Sequence, residues 1–391
     1  MRRLFDPPCL AASMKICVIS PRYSFTGVAL AQARLARALV EDGHDVDLIY
    51  GCLDYDLLPT DRRALPLVAG ANVRQWGQTK VSRMLPRICS YLRDVRPDVV
   101  FSAEDHLNDI VLLAAILTRS KAKISGSSRV FPLDREGHGG PYSVMPLAPR
   151  WFFKQLTRLL MRRADALTCV SDDMAAAYRK LFNSDKHVGV HNIIVDKRSR
   201  ERLNEPVDHP WFTKKDAPIV AAAGTLTLRK GFADLVQAVR HLHDRDRRVR
   251  LAIFGEGNLR AELEALVGEL GLRNWVWLPG RVENPLKYFA HAEVSVLSSY
   301  SEGLPNVLVE AMMCGCTPVA TDCPTGPREV LQDGKYGFLI PMHDPKAMAN
   351  AIEAALDRPV PRERLEEAIA SFGERAVLDR HFALLGLDRK N

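Results

Sequence analysis

The chain has 391 residues, 47% of them hydrophobic and 26% charged; that length suggests two or three domains, and that balance excludes a largely disordered protein. Its 54 Lys and Arg against 47 Asp and Glu leave a formal net charge of +7, which favours anionic partners without choosing among phosphorylated small molecules, lipid headgroups and nucleic acid. The longest apolar run, Ile110 to Leu117, is far short of the roughly 20 residues that cross a bilayer, so no spanning helix is expected.

Arg2 and Arg3 are followed by Asp6, Pro7 and Pro8, which interrupt the apolar stretch a secretory signal requires. Residues 1–13 therefore read as a disordered extension. A first domain is expected over 14–200. It opens with a strand from Lys15 to Ser20, the turn residues Pro21 and Gly27, and a helix to about Glu41 that Gly43 and His44 stop. Further strands are expected at 45–50, 98–101, 121–125, 166–170 and 188–191, with helices near 79–94, 107–118, 150–163 and 171–182. Strands alternating with helices predict an α/β fold, a doubly wound parallel sheet covered on both faces.

Between Asn192 and Ala217 the periodicity lapses, and Pro206, Pro210 and many charges give the segment the character of an interdomain linker. The pattern restarts in a second domain, 201–360. A strand at Pro218 to Ala223 precedes a helix whose apolar face is Phe232, Leu235, Val236, Val239 and Leu242. Strands at 250–254, 275–278, 294–297, 317–320 and 338–340 complete a second doubly wound sheet. Residues 361–391 are expected to form helices that cross back to the first domain. Two such sheets predict a ligand cleft between their carboxyl ends.

The eight cysteines, Cys9, Cys17, Cys52, Cys89, Cys169, Cys314, Cys316 and Cys323, lie mostly in apolar runs and read as reduced, packed thiols of a cytoplasmic protein. Cys314, Cys316 and Cys323 lack a fourth ligand at zinc-like spacing. The acid pairs Asp54 with Asp56 and Asp244 with Asp246 read as surface turns. No metal site is expected.

Gly224-Thr225-Leu-Thr-Leu-Arg229-Lys230-Gly231 joins a strand to a helix, which places amides and two cations at the carboxyl edge of the sheet, a setting that suits a diphosphate. Gly255 and Gly257 form a second glycine turn, without the remaining spacing of a dinucleotide fingerprint. The sharper signal is Ser301-Glu302-Gly303-Leu304-Pro305-Asn306-Val307-Leu-Val-Glu310, closing at Gly315. Pro305 is placed as the first helical residue and Gly315 as the terminator, so Glu302 precedes the helix and Glu310 lies within it. At 1.5 Å per residue, Glu310 stands about 6 to 8 Å from the helix start. Glu302, the amides of 305–307 and Glu310 are thus spaced for one extended polar ligand. A nucleotide sugar, with sugar hydroxyls, a diphosphate and ribose hydroxyls, has that layout.

The two glutamates inside Glu-Gly-Leu-Pro-Asn-Val-Leu-Val-Glu-Ala-Met closely resemble the signature of family-four retaining glycosyltransferases. Thr325-Gly-Pro-Arg-Glu329 and Tyr336-Gly-Phe-Leu-Ile-Pro341 are similar to the same family, and in the first half Ser127-Ser128-Arg129 and Asn192 resemble members that make surface polysaccharide or lipid-linked glycans. The resemblance implies a GT-B architecture with acceptor recognition in the first domain and donor recognition in the second. It implies that Glu302 holds sugar hydroxyls, Glu310 the ribose, and Arg229 and Lys230 the diphosphate of a UDP-sugar, without a metal or other cofactor. Gly27, Gly224, Thr225, Gly255, Gly257 and Gly303 to Val307 complete the implied donor site. Members usually carry Arg where this chain has Thr225, and Arg229 is the available substitute. Many also carry a first-domain His near the reacting sugar, for which His138 and His106 are the candidates.

The implied activity is sugar transfer to a glycan or lipid-linked acceptor; the alternatives are a nucleotide-sugar epimerase or a non-catalytic nucleotide-sugar-binding subunit. Residues 150–163 combine bulky apolar side chains with Lys154, Arg158, Arg162 and Arg163 and no acid. That pattern suits either peripheral contact with an anionic membrane at its inner face or an ordinary helix packed on the sheet. No nucleic-acid motif accompanies the positive charge. Glu302→Ala is expected to abolish transfer and to leave the fold intact.

Overall fold

The computed structural model describes residues 13–23, 27–53, 68–78, 80–129, 147–214 and 216–387. Residues 1–12 of the expected extension, Asp54, Asp56 and His138 lie outside them. The described residues fall into two compact units, one from residues up to 193 together with those from 374 onward, the other from 194–373.

In the first unit β1 (Lys15–Tyr23), α1 (Gly27–Glu41), β2 (Asp45–Leu53), β3 (Asn72–Gln78), α2 (Leu85–Asp94), β4 (Val99–Ala103), α3 (Asp105–Thr118), β5 (Lys123–Ser128), α4 (Leu147–Leu160), β6 (Ala166–Cys169), α5 (Asp172–Phe182) and β7 (His187–Gly189) follow in turn. The seven strands are parallel, in the order β3-β2-β1-β4-β5-β6-β7. β1 and β4 buried on both sides read as continuous apolar runs, as parallel strands do. The order reverses between β1 and β4.

The second unit contains α6 (Lys197–Arg202), α7 (Pro210–Lys214), β8 (Ile219–Ala223), α8 (Phe232–Asp244), β9 (Arg250–Phe254), α9 (Arg260–Glu269), β10 (Val276–Gly280), α10 (Leu286–Phe289), β11 (Val294–Leu297), α11 (Asn306–Cys314), β12 (Thr317–Thr321), α12 (Pro327–Val330), β13 (Phe338–Ile340), α13 (Pro345–Asp357) and α14 (Arg362–Ile369). Its six parallel strands run β10-β9-β8-β11-β12-β13, reversing between β8 and β11. The face of α8 expected from the sequence, Phe232, Leu235, Val236, Val239 and Leu242, is buried in the core. Asp344 caps α13 by accepting the Ala347 amide at 2.9 Å, with Pro345 as the first helical residue.

Three expectations are corrected. β3 was not expected; it is an edge strand whose side chains are largely exposed, so it carries no apolar run. The segment 192–217 is not featureless, for it holds α6 and α7. α6 is capped by Asp196 and tied to α14 by a bidentate Arg200–Glu366 pair at 2.8 and 2.6 Å. α7 is anchored by buried Phe212 against the rings of Trp277 and Tyr288. Helices this short gain little from propensity and depend on such tertiary contacts. Finally, α14 stays in the second unit, packed on α11, and the chain rejoins the first unit only with α15 (Glu374–Leu384).

The seven described cysteines are buried, and burial raises the Cys17 thiol to about 12. Cys316 donates to the Phe289 carbonyl at 3.0 Å. Asp244 pairs with Arg240 and Asp246 with Arg248 at the surface. Among the described residues no helix is long and apolar enough to cross a membrane.

Candidate functional site

Because β8 and β11 are neighbours at the point where strand order reverses, the loops that leave their carboxyl ends run beside each other, where open α/β sheets bind ligands. The two loops are interlocked by backbone. The Tyr300 amide donates to the Arg229 carbonyl at 2.8 Å, and Ser298 Oγ to the Lys230 carbonyl at 2.7 Å. Gly231 has φ +62°, and a Cβ there would lie 2.1 Å from the Ser298 carbonyl oxygen, so only glycine permits the approach.

This interlock brings Arg229, Lys230 and Glu302 together. Lys230 Nζ donates to Glu302 Oε1 at 2.6 Å, Ser299 Oγ donates to the same oxygen at 2.6 Å, and Arg229 Nη1 lies 3.6 Å from Glu302 Oε2 while donating to the Ser301 carbonyl at 2.7 Å. The Glu302 side chain is 8% exposed, Lys230 13% and Arg229 36%. Burial pushes the Glu302 carboxyl up, but the charges of Lys230 and Arg229 and the hydrogen bonds from Lys230 and Ser299 outweigh it and hold the group below its ordinary value. Glu302 is therefore an anion that organises two cations. Glu302→Ala was expected to leave the fold intact; this geometry adds that the variant should also lose stability, because removing the carboxylate strips a nearly buried ammonium of its partner.

The backbone after Glu302 is equally constrained. Thr325 Oγ1 donates to the Glu302 carbonyl. Gly326 packs so closely that a Cβ would meet Pro305 Cδ at 2.5 Å. Pro305 precedes α11 rather than opening it. With φ −78° and ψ 81° it centres an inverse γ-turn in which the Asn306 amide donates to the Leu304 carbonyl at 3.0 Å. Of the amides expected at 305–307, proline has none and Asn306 is engaged, which leaves Val307, a first-turn position with no intrahelical carbonyl four residues back. Glu310 is half-buried one turn further along, and Gly315, at φ +94°, ends the helix as expected.

The other expected residues are dispersed. Gly224 and exposed Thr225 lie in the β8 loop. Gly255 and Gly257 are glycines because the β9 turn presses on that loop: their Cβ atoms would lie 1.9 Å from the Gly224 oxygen and 2.3 Å from the Leu226 oxygen. Gly303 and Leu304 continue the Glu302 loop. Gly27 opens α1 in the first unit, and His106 is exposed in the first turn of α3. Sequence reading missed Ser298, Ser299 and Thr321, the last of which donates to the Ser299 and Leu297 carbonyls. A polar Ser-Ser-Tyr-Ser run directly after an apolar strand was the available signal.

Two units, each built on a doubly wound parallel sheet, define the GT-B class of fold, and comparison with known proteins agrees. Residues 205–372 match the model of glycosyl transferases group 1, and residues 26–192 that of the glycosyl transferase 4-like domain. The chain belongs to the family-four GT-B glycosyltransferases. Among curated proteins it is 27% identical over 280 residues to an uncharacterised glycosyltransferase of Methanocaldococcus jannaschii, covering 66% of this chain and 67% of that one. It is 36% identical over 175 residues to the N-acetylgalactosamine-N,N'-diacetylbacillosaminyl-diphospho-undecaprenol 4-alpha-N-acetylgalactosaminyltransferase of Campylobacter jejuni, covering 43% of this chain and 47% of that enzyme. It is also 33% identical to the lipopolysaccharide core biosynthesis glycosyltransferase LpsE of Rhizobium meliloti, covering 44% and 51%. The chain thus spans about half the length of these last two relatives. Similar solved structures are Anabaena HepE in complex with UDP, with TM-score 0.72, 16% identity and coverage of 95% and 100%, and the lipopolysaccharide outer core galactosyltransferase WaaB, with TM-score 0.69, 17% identity and coverage of 95% and 99%. The epimerase and binding-subunit readings are not favoured by these matches.

Proposed function

We propose that the protein transfers a hexosyl group, with retention of configuration, from a UDP-sugar to a glycan or lipid-linked acceptor in cell-surface polysaccharide or glycolipid assembly, without a metal ion. The observation that carries this reading is the cluster of Glu302, Lys230 and Arg229 at the strand-order reversal of the second unit. The name of the Campylobacter relative, which specifies a diphospho-undecaprenol-linked acceptor, supports the acceptor class, and the HepE structure with UDP supports the donor.

Breaking the sugar–phosphate bond develops positive charge on the sugar and negative charge on the departing diphosphate. Lys230 spends one donor on Glu302, and Arg229 spends Nη1 on Ser301, so both keep N–H groups for diphosphate oxygens. Their attraction grows as the leaving group gains charge, which lowers the barrier. Glu302 fixes the ammonium in place and offers its carboxylate to sugar hydroxyls; Glu310 meets the ribose; the Val307 amide adds to the phosphate contacts. His106 and His138 are the first-domain candidates for a group beside the reacting sugar.

Membrane contact at the inner face is part of the proposal. On α4, Phe153, Leu156 and Leu159 are exposed, beside exposed Arg158 and Arg162, and an apolar stripe flanked by cations suits an anionic lipid surface. Flotation with anionic vesicles should carry the protein upward; retention of all of it in the soluble fraction contradicts this part. The catalytic reading is tested by incubating the protein with a panel of nucleotide sugars and measuring nucleoside diphosphate release with and without acceptor.

A further inference from the structure

The segment that carries Glu302 also grips Arg229 at both ends. The Tyr300 amide donates to the Arg229 carbonyl at 2.8 Å, and the Ser301 carbonyl accepts from Arg229 Nη1 at 2.7 Å. Lys230 is fixed by the Glu302 carboxylate itself, whereas Arg229 stands 3.6 Å from that carboxylate and is 36% exposed. Its direction is therefore set by where residues 300 and 301 lie.

The side chain of Tyr300 holds that segment in place. Its hydroxyl donates to Asp234 Oδ2 at 2.8 Å, and Asp234 belongs to the first turn of α8, where the helix end favours a carboxylate. The ring edge lies against Gly231, where a Cβ would come within 3.1 Å of Tyr300 Cε1. Over the ring packs His343, with centroids 3.9 Å apart and planes inclined by 31°. His343 sits in the turn between β13 and α13, is exposed and has φ +57°. Because α13 packs on α8, that turn arrives beside the first turn of α8. Tyr300 is thus joined to the starts of two helices as well as to the β8 loop.

The His343 contact is not explained by core packing. An exposed ring buries little apolar surface, and a left-handed turn position is one that glycine takes without cost. What the ring contact and the hydroxyl bond do is restrict one loop side chain to a single orientation. We infer that Tyr300, held between Asp234 and His343, is a positioning residue that aims the Arg229 guanidinium at the donor diphosphate. A guanidinium aimed before the ligand arrives loses less conformational freedom on binding, so the device acts on affinity. The inference rests on the proposed nucleotide-sugar site and deepens it.

Full-length wild type, Tyr300→Leu, Tyr300→Phe, His343→Gly, Arg229→Ala and a double variant combining Tyr300→Leu with Arg229→Ala are titrated with UDP by calorimetry, and Tm is read for each. Tyr300→Leu should raise the UDP Kd by about tenfold, the scale of one charge-assisted contact, and Tyr300→Phe, which keeps the ring, by no more than about threefold. His343→Gly should raise it by about threefold while Tm holds or rises, because glycine takes the left-handed turn freely. Since Tyr300 acts through Arg229, the double variant should bind UDP within about twofold of Arg229→Ala alone, whereas a merely structural role makes the two losses multiply. Wild-type affinity in Tyr300→Leu or in His343→Gly, losses that multiply, or affinity that falls only where Tm falls overturns the positioning role and leaves the proposed function standing. A wild type that binds no UDP overturns both.

Discussion

Lys230 and Glu302 are 72 residues apart in sequence, yet the Lys230 ammonium donates to Glu302 Oε1 at 2.6 Å. Each belongs to a different strand-to-helix loop, and the contact exists because β8 and β11 are adjacent and parallel. The pair therefore links sheet topology directly to the chemistry of the site.

From that contact, Glu302→Ala and Glu302→Gln should behave differently. The alanine variant leaves Lys230 nearly buried and unpaired and should lose about 3 to 5 kcal/mol of unfolding free energy. The glutamine variant keeps an acceptor oxygen and should lose less, while kcat/KM falls by about a hundredfold. Urea unfolding and initial rates on both variants separate the two effects.

Arg229→Ala and Lys230→Ala should each weaken UDP binding, by about 1.5 to 3 kcal/mol for a charge-assisted contact, and the affinity should fall as salt is raised. Calorimetry reads both. Thr225→Ala should leave UDP affinity nearly unchanged if Arg229 has taken over the cationic role.

The lowered Glu302 ionisation fixes a sign for pH. A carboxyl held below its unfolded value contributes stability that is complete above the ordinary value of 4.5 and is lost as pH falls through the lower folded value. The Tm advantage of wild type over Glu302→Gln should therefore be largest near neutrality and shrink on acidification below about pH 4.5. An advantage that persists unchanged to pH 3 contradicts the assignment of Glu302 as a folded-state anion.

Gly231 and Gly43 both have positive φ, +62° and +89°, but only Gly231 has an atom in the way of a Cβ. Gly43→Ala should cost about 1 kcal/mol from the dihedral alone. Gly231→Ala must also part the interlocked loops, so it should cost more and impair turnover. Equal losses would remove the close approach as the reason for glycine.

Much of this architecture could be read from residue order. The apolar strands and the stripe of α8 announced themselves because buried parallel strands and amphipathic helices have periodic patterns. β3 had no such pattern, since its largely exposed edge position allows Asn72, Arg74, Gln75 and Gln78. α6 and α7 were hidden because the Arg200–Glu366 pair and the ring contacts of Phe212 join segments far apart in sequence. In the site, the residue types of Arg229, Lys230, Glu302 and Glu310 were legible from loop chemistry. Their pairing was not: spacing along one chain shows neither that Lys230 is bonded to Glu302 nor that Asn306 turns its amide onto Leu304.

The most direct test measures release of nucleoside diphosphate from a panel of nucleotide sugars by wild type and by Glu302→Gln, with the sugar products analysed in parallel. The account predicts that wild type releases diphosphate from at least one UDP-sugar, faster with acceptor present, and that Glu302→Gln does so at about a hundredth of that rate. Sugar isomers formed without diphosphate release, or equal rates for the two proteins, would contradict it.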